Sequence, residues 1–284
     1  MKNPIVKGWY ADPESRVYND KVYIYVTKSL PYEEQLNIDL VVSADLENFT
    51  LVKDVLDFST YHGIYRCVWA PSVIEKNGKY YIIFAGNAIY NDGETGGLYI
   101  GVSDTPDGKF RNIKADGSSV LNVFYNGAQP IDAHFFKDED EQIYLYYGGW
   151  GHLNVCKLKA DMTGIIEGTM REITPQDYVE APFVMKGKNQ YILMYSSGAW
   201  TNGTYCVKTA TSDNPFGPFT YRDTVLSASE IADGPGHNSG FVFKGKTYIA
   251  YHRRIIGDGD RNHRILCIDE MKVEGATVKQ IVMT

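Results

Sequence analysis

Short runs of aromatic and aliphatic residues recur along the chain, separated by turn residues, and five segments share one pattern. Each has a short apolar strand, a tight turn such as Asn19-Asp20 or Asn77-Gly78, and then a strand rich in aromatic residues. The aromatic strands are anchored at Tyr23, Tyr80, Ile143, Tyr191 and Tyr248. Turn residues between alternating apolar strands predict β-hairpins, and no helical pattern of useful length remains between them.

A second motif follows each hairpin, where a further apolar strand ends in a Ser/Ala-Asp turn. These turns are Ser43-Ala-Asp45, Ser103-Asp104, Ala160-Asp161 and Ser212-Asp213, with Asp269 in the same place in the last unit. Units of about 50 to 60 residues with three or four strands are typical of propeller blades. The sequence therefore predicts an all-β fold, a five-bladed β-propeller in a single domain over residues 1–284. A large sandwich or jelly roll is the alternative, but it would not explain the repeated positions.

Charge and composition exclude several classes of function. The chain has 28 Lys and Arg against 35 Asp and Glu, a formal net charge of −7, so it lacks the basic surface that nucleic acid requires. No segment approaches the roughly 18 to 20 apolar residues that cross a bilayer, so membrane insertion is not expected. The four cysteines lack metal-ligand spacing and are predicted to be free, mostly buried thiols.

One position in the repeat carries polar residues that a structural core would avoid. Eleven residues before each anchor stand Asp12, Trp69, Asp132, Glu180 and His237. The first strand of a propeller blade lines the central axis, so these residues are predicted to form one ring. Three carboxylates there cost desolvation and mutual repulsion, which indicates a catalytic site; a channel whose polar residues are merely hydrated is the alternative.

The order of the ring suggests a role for each carboxylate. Glu180 neighbours Asp132, so repulsion between them favours a proton on Glu180, the candidate general acid. Asp12 lies two blades away and is expected to stay ionised as the base that activates water. For an assumed ring radius of about 4 Å, the separation of Asp12 and Glu180 is roughly 8 Å, which is consistent with an inverting glycosidase.

The blade-start motifs are, in order, Gly8-Trp9-Tyr10-Ala11-Asp12-Pro13, Trp69-Ala70-Pro71, Pro130-Ile131-Asp132-Ala133, Val179-Glu180-Ala181-Pro182 and Gly236-His237-Asn238-Ser239. They resemble those of glycoside hydrolase family 43 over nearly the whole chain. The resemblance implies inverting hydrolysis of pentose linkages, mainly to xylose and arabinofuranose, in plant oligo- and polysaccharides. It also implies Asp12 as the base, Asp132 as the residue that modulates the pKa of the acid, and Glu180 as the acid.

The resemblance suggests further site residues. Trp69 would form an apolar wall against the sugar, and Arg253 is favoured over Arg254 as the arginine facing the substrate, since strand alternation turns only one of them inward. His134, two residues after Asp132, would share its face. No cofactor is expected to be required, but a structural Ca²⁺ could lie on the axis near His237, contacted through water because Ca²⁺ prefers oxygen ligands. Trp9, Trp150 and Trp200 are candidates for outer subsites or for structural roles.

Several functions compete at this level. An exo-acting α-L-arabinofuranosidase or β-xylosidase is favoured because residues 86–97 are long enough to wall a pocket. The alternatives are an endo-acting arabinanase or xylanase, a non-catalytic carbohydrate-binding propeller, and a related five-bladed clan that cleaves fructosides or mannosides. A chain that ends at Thr284 leaves no room for the second, β-sandwich domain of many family members. A chain that opens eleven residues before Asp12 fits a mature form whose secretion signal was removed.

Overall fold

The computed structural model describes residues 2–284, which form five antiparallel sheets arranged as the blades of a propeller. In each blade the strands are neighbours in chain order, so every blade is a meander. The predicted all-β, five-bladed, single-domain fold is confirmed. Within residues 2–284, no helix is long and apolar enough to cross a membrane.

The strands of the five blades have the following bounds. Blade 1 contains β1 (Tyr10–Tyr18), β2 (Lys21–Lys28), β3 (Ile38–Ser43) and β4 (Thr50–Val52). Blade 2 contains β5 (Trp69–Lys76), β6 (Lys79–Gly86), β7 (Gly97–Ser103) and β8 (Arg111–Asn112). Blade 3 contains β9 (His134–Lys137), β10 (Ile143–Tyr147), β11 (Asn154–Lys157) and β12 (Arg171–Glu172). Blade 4 contains β13 (Glu180–Lys186), β14 (Tyr191–Ser197), β15 (Cys206–Ser212) and β16 (Thr220–Leu226). Blade 5 contains β17 (Asp233–Phe243), β18 (Lys246–Arg254) and β19 (Arg264–Glu270). A small hairpin of β20 (Val273–Glu274) and β21 (Thr277–Val278) follows, and short 3₁₀ turns occupy Tyr32–Glu34, Phe58–Thr60 and Tyr125–Gly127.

The core lies between adjacent blades rather than inside one sheet. Tyr25 of blade 1, for example, packs in one apolar cluster with Phe84 of blade 2, and Ile24 of blade 1 packs with Ala250 of blade 5. The recurring aromatic strands thus bury their rings against the next blade, which explains why tyrosine is so frequent in them. The four cysteines are free, and all but the partly exposed Cys206 are buried, as predicted.

The start of the chain completes the last blade. The backbone N–H of Ile5 donates to the carbonyl of Leu266 at 3.1 Å, and the Asn3 side chain bonds both the N–H and the carbonyl of Ile268, at 2.9 and 3.0 Å. Residues 3–5 therefore run along β19 and join the first and last blades.

A β-bulge interrupts the pairing of the first and second strands near the axis in blades 1, 2, 4 and 5. In every blade one residue there has a left-handed backbone: Asp12 (φ 52°), Ala70 (φ 51°), Asp132 (φ 53°), Ala181 (φ 59°) and His237 (φ 43°). Asp and His adopt this conformation more readily than most residues, which suits three of the five positions.

The five residues of the predicted ring do not share one backbone geometry. Asp12, Asp132 and His237 are themselves the left-handed residues, whereas Trp69 and Glu180 stand one residue before theirs and pair with Ala85 and Ser196. The predicted alignment counted from the aromatic strands and so could not register this offset.

Candidate active site

The first-strand ends of the blades surround one pocket at the mouth of the axis. Its lining contains all five residues predicted for the ring, together with residues from three other segments. The lining residues are Asp12, Tyr32, Trp69, Ile131, Asp132, Glu180, Trp200, His237 and Arg264.

Asp12 is surrounded by hydrogen-bond donors and positive charge. Its Oδ1 lies 3.2 Å from Arg264 Nη1 and 3.3 Å from His237 Nδ1. Burial disfavours ionisation of this carboxyl, but the positive charge of Arg264 and the nearby imidazoles outweigh it and hold the pKa of Asp12 well below its usual range. Asp12 is therefore a carboxylate at neutral pH.

Asp132 and Glu180 have the opposite electrostatics. Burial, followed by the negative charges of Glu180 and Asp12, raises the pKa of Asp132 well above its usual value. Burial also raises the pKa of Glu180, and the charge of Asp12 adds to the effect. Since two buried neighbouring carboxyls resist ionising together, the pair retains a proton where Asp12 does not.

Tyr205 holds Glu180 from behind. Its hydroxyl donates to Glu180 Oε1 at 2.8 Å, and its ring is 1% exposed. The ring lies flat against Gly236, where an added Cβ would come within 2.1 Å of Cε1, so a glycine is required there. This hydrogen bond opposes the rise in the pKa of Glu180.

His252 supports Asp12 through the backbone. The N–H of Asp12 donates to His252 Nδ1 at 3.2 Å, and the same ring nitrogen lies 3.4 Å from Asp12 Oδ1. Burial lowers the pKa of His252 to about 4, which keeps the imidazole neutral. The imidazole stacks on the ring of Tyr205, with the ring centroids 5.9 Å apart. The side chains that support Asp12 and Glu180 are thus in contact.

Aromatic side chains form the walls of the pocket. Trp69 donates its indole N–H to Gln35 Oε1 and meets Tyr32 edge to face at 5.1 Å. The guanidinium carbon of Arg264 lies over the indole ring of Trp200, 5.2 Å from the ring centroid. Trp9 stacks on His263 at 4.1 Å instead and is not part of the pocket lining.

The arginine in the pocket is Arg264, not the predicted Arg253. Arg254 pairs with Arg264 and His252 with Leu266 across β18 and β19, so the side chains of His252, Arg254 and Arg264 share one face. Arg253 is buried on the other face, beside Cys267 and Tyr251. Residues 251–254 contain His252, which contacts Asp12, and Arg254, which pairs with Arg264. Which of these side chains face the pocket depends on strand register, and sequence alone does not give the register.

His134 lies deeper on the axis than the pocket lining. Its Nδ1 is 3.8 Å from Glu14 Oε2, its Nε2 is 3.2 Å from the carbonyl of Val184, and its ring packs on Phe183 at 4.7 Å. Glu14 in turn pairs with Arg16. His134 thus belongs to a buried polar cluster outside the pocket lining, and its predicted place on the face of Asp132 stays a prediction.

The axial cation expected near His237 stays a prediction. His237 Nδ1 points to the pocket carboxylates, at 3.3 Å from Asp12 and 3.6 Å from Asp132. Among residues 2–284, no three His, Cys, Asp or Glu side chains are grouped so as to hold a metal ion. Because Ca²⁺ takes six to eight oxygen ligands, these side chains alone do not fit a direct site.

A five-bladed propeller with opposed carboxyls at its axis defines a class of glycoside-cleaving folds. Comparison with known protein families identifies the family within that class: the sequence model of glycosyl hydrolases family 43 matches residues 1–276. The chain belongs to that family, and it is therefore a glycosidase.

Its relatives differ in the sugars that they are named for. It is 36% identical over 282 residues to a β-D-galactofuranosidase from Aspergillus niger, which covers 95% of this chain and 81% of the relative. It is 27% identical over 301 residues to a β-xylosidase from Xylanibacter ruminicola, covering 86% and 87%. Among solved structures, an α-L-arabinofuranosidase from Clostridium thermocellum aligns with a TM-score of 0.79 at 28% identity, covering 96% of this chain and 94% of that one.

Proposed function

We propose that the protein is an inverting, exo-acting glycosidase that removes terminal α-L-arabinofuranosyl or β-D-xylosyl residues from plant polysaccharides. The observation that carries this proposal is the split between the carboxyls: Asp12 is held ionised, while the pair of Asp132 and Glu180 retains a proton. One ionised and one protonated carboxyl serve both inverting and retaining hydrolysis, and the wide separation predicted for Asp12 and Glu180 favours inversion.

In the proposed mechanism, Asp12 accepts a proton from a water molecule as the water attacks the anomeric carbon. The bond from that carbon to the leaving oxygen breaks, and Glu180 delivers its proton to the leaving oxygen. Asp132 keeps the pKa of Glu180 raised and so maintains the acid. Arg264 holds Asp12 in place before attack, and solvent restores both protonation states afterwards.

A second candidate is release of terminal β-D-galactofuranose, favoured by the 36% identical Aspergillus niger relative. The ring of β-D-galactofuranose has the configuration of α-L-arabinofuranose and differs by one exocyclic CHOH group. A site that accepts the smaller sugar therefore needs only added space to accept the larger one.

Hydrolysis of three aryl glycosides, the α-L-arabinofuranoside, β-D-xyloside and β-D-galactofuranoside, tests this choice. We expect turnover of the arabinofuranoside or the xyloside, and the highest kcat/KM among the three identifies the sugar. Proton NMR of the first-formed sugar should show the inverted anomer. Retention, or release of mixed internal oligomers from arabinan or xylan, would contradict the inverting exo mechanism.

Variants separate the base from the acid. Glu180→Gln should lower kcat by about 10²- to 10⁴-fold on substrates with poor leaving groups, but much less on a dinitrophenyl glycoside, whose leaving oxygen needs no proton. Asp12→Asn should be inactive on both. The exposed carboxyls Glu139 and Asp20 on distal turns give matched controls, Glu139→Gln and Asp20→Asn, which should keep full activity. Equal losses of Glu180→Gln on both leaving groups would overturn its role as the acid.

A further inference from the structure

Three aromatic side chains form an exposed cluster beside the pocket, outside its lining. Trp150 is 49% exposed and Tyr90 is 57% exposed. Their ring centroids lie 5.8 Å apart, and Phe124 supports Trp150 from 5.2 Å. We call Tyr90, Phe124 and Trp150 the aromatic platform. Large exposed apolar rings grouped in this way mark interaction surfaces.

The platform is held rigidly, at a cost to the backbone. Trp150 has a left-handed φ of 59°, which is unfavourable for a bulky residue. Gly149 and Gly151 flank it; a Cβ at Gly149 would lie 2.7 Å from Ile131 Cδ1, and Gly151 has a φ of 81°. The strained conformation turns the indole out to solvent, where it gains no core burial, and this indicates a ligand rather than a packing role.

Hydrogen bonds place the platform on the Asp132 and Glu180 side of the pocket. The N–H of Gly148 donates to the carbonyl of Ile131 at 3.0 Å, and the N–H of Gly151 donates to that of Val179 at 3.1 Å. Ile131 lines the pocket and precedes Asp132, and Val179 precedes Glu180. The loop of Tyr90 is attached to the same wall, since Gln129 Nε2 donates to the carbonyl of Ile89 at 3.0 Å.

We infer that the aromatic platform binds the leaving-group part of the substrate, and specifically a pyranose unit of the polysaccharide backbone. This inference rests on the proposed function, in which Glu180 protonates the leaving oxygen, because the leaving group must then lie on the side of Glu180. A pyranose with equatorial substituents presents axial C–H groups on a flat face, which suits stacking on indole and phenol rings. The exposed rings of Tyr90 and Trp150 offer such a surface on loops hydrogen-bonded to the segments that carry Asp132 and Glu180.

Binding of xylotriose, a chain of three pyranoses, to the Glu180→Gln protein tests the inference without turnover. In isothermal titration calorimetry we expect Trp150→Ala, added to Glu180→Gln, to weaken Kd by about tenfold. Trp150→Phe should keep most of the affinity because it keeps an aromatic face. Tyr221→Ala is the matched control, since Tyr221 is partly exposed on β16 at the outer edge of blade 4, and it should leave Kd unchanged.

Kinetics in the otherwise unaltered protein locate the effect. Trp150→Ala should raise KM for an oligosaccharide but leave kcat/KM for the corresponding methyl glycoside, which has no sugar leaving group, within about twofold. No xylotriose binding to Glu180→Gln, equal Kd with and without Trp150, or equal losses on the methyl glycoside would each overturn the inference. If instead no glycoside is hydrolysed but Trp150→Ala still abolishes xylotriose binding, the proposed function fails and the platform stands as a sugar-binding surface.

Discussion

At the scale of single residues, neighbouring side chains set different protonation states for three chemically similar carboxyls. Asp12, Asp132 and Glu180 are all buried in one pocket, so desolvation disfavours ionisation of each. Only Asp12 has Arg264 at 3.2 Å, and this positive charge reverses the outcome. The protonation states thus follow from one arginine and one like-charged pair, not from the type of acid.

Tyr205 gives a prediction about pH. Its hydrogen bond stabilises the ionised form of Glu180 and so lowers the pKa of Glu180, as the charge of Arg264 also does. Burial and the charge of Asp12 raise the same pKa. Tyr205→Phe should raise that pKa. Because the acid must be protonated, the limb of the profile where kcat/KM falls with rising pH should move to higher pH.

The pH dependence of kcat/KM measures this shift, and Tyr195→Phe is the control. Tyr195 is equally buried, but its hydroxyl donates to the carbonyl of Gln176 at 2.7 Å. Its loss should cost stability without moving the alkaline limb. An unmoved limb in Tyr205→Phe would show that Tyr205 does not tune the acid.

The sequence predicted some residues of the site and not others, because they reach the pocket in different ways. Asp12, Asp132 and Glu180 were found because they recur at one place in a repeat. Arg264 reaches the pocket from β19, and Tyr205 lies just before β15. The residue types at these positions do not repeat from blade to blade, and 22 tyrosines in the chain hide the important one. Cross-strand register and loop path decide such contacts, and neither leaves a local pattern.

At the scale of the element, a left-handed residue at the start of each blade, accompanied by a bulge in blades 1, 2, 4 and 5, aims the site residues. The repeat predicted five strand pairs and their turns, but not the bulges, because a bulge adds a residue without changing the alternation on either side. Asp12, Asp132 and His237 project from left-handed positions, while Trp69 and Glu180 project from the paired residue before them. The ring consequently mixes two backbone geometries.

The left-handed alanine of blade 2 allows a test of this strain. Ala70 has a φ of 51° and is 1% exposed. Ala70→Val places a β-branched side chain in the left-handed region and should lower the free energy of unfolding by about 2 kcal/mol or more. Ala70→Gly removes the strain along with a small methyl group and should change it by less than about 1 kcal/mol.

Urea unfolding of both variants measures the difference. The same Ala→Val and Ala→Gly changes at Ala160, which is exposed and has no positive φ among the described residues, give the matched control and should differ little from each other. Equal stability of Ala70→Val and Ala70→Gly would mean that the bulge relaxes at no cost.

At the scale of the whole molecule, ring closure ties stability to the site. Residues 3–5 pair with β19, and the interface of blades 1 and 5 also carries the contacts of Asp12 with Arg264 and His252. The base and its supports therefore come from the two ends of the sheet order. A propeller that opened at this seam would lose the electrostatics of Asp12 before it lost any single blade.

Ile5 tests whether this closure is part of the cooperative fold. It is 8% exposed and packs with Leu266 and Ala250, so Ile5→Ala should lower the free energy of unfolding by about 2 kcal/mol. The midpoint of thermal unfolding should fall, and activity should be lost at the same lowered temperature, because opening the seam separates Asp12 from Arg264. Val282→Ala, at a side chain that is 76% exposed, should change neither. If Ile5→Ala left the midpoint unchanged, residues 3–5 would be a loosely attached extension. The ring of blades would then be closed by the packing of blades 1 and 5 alone.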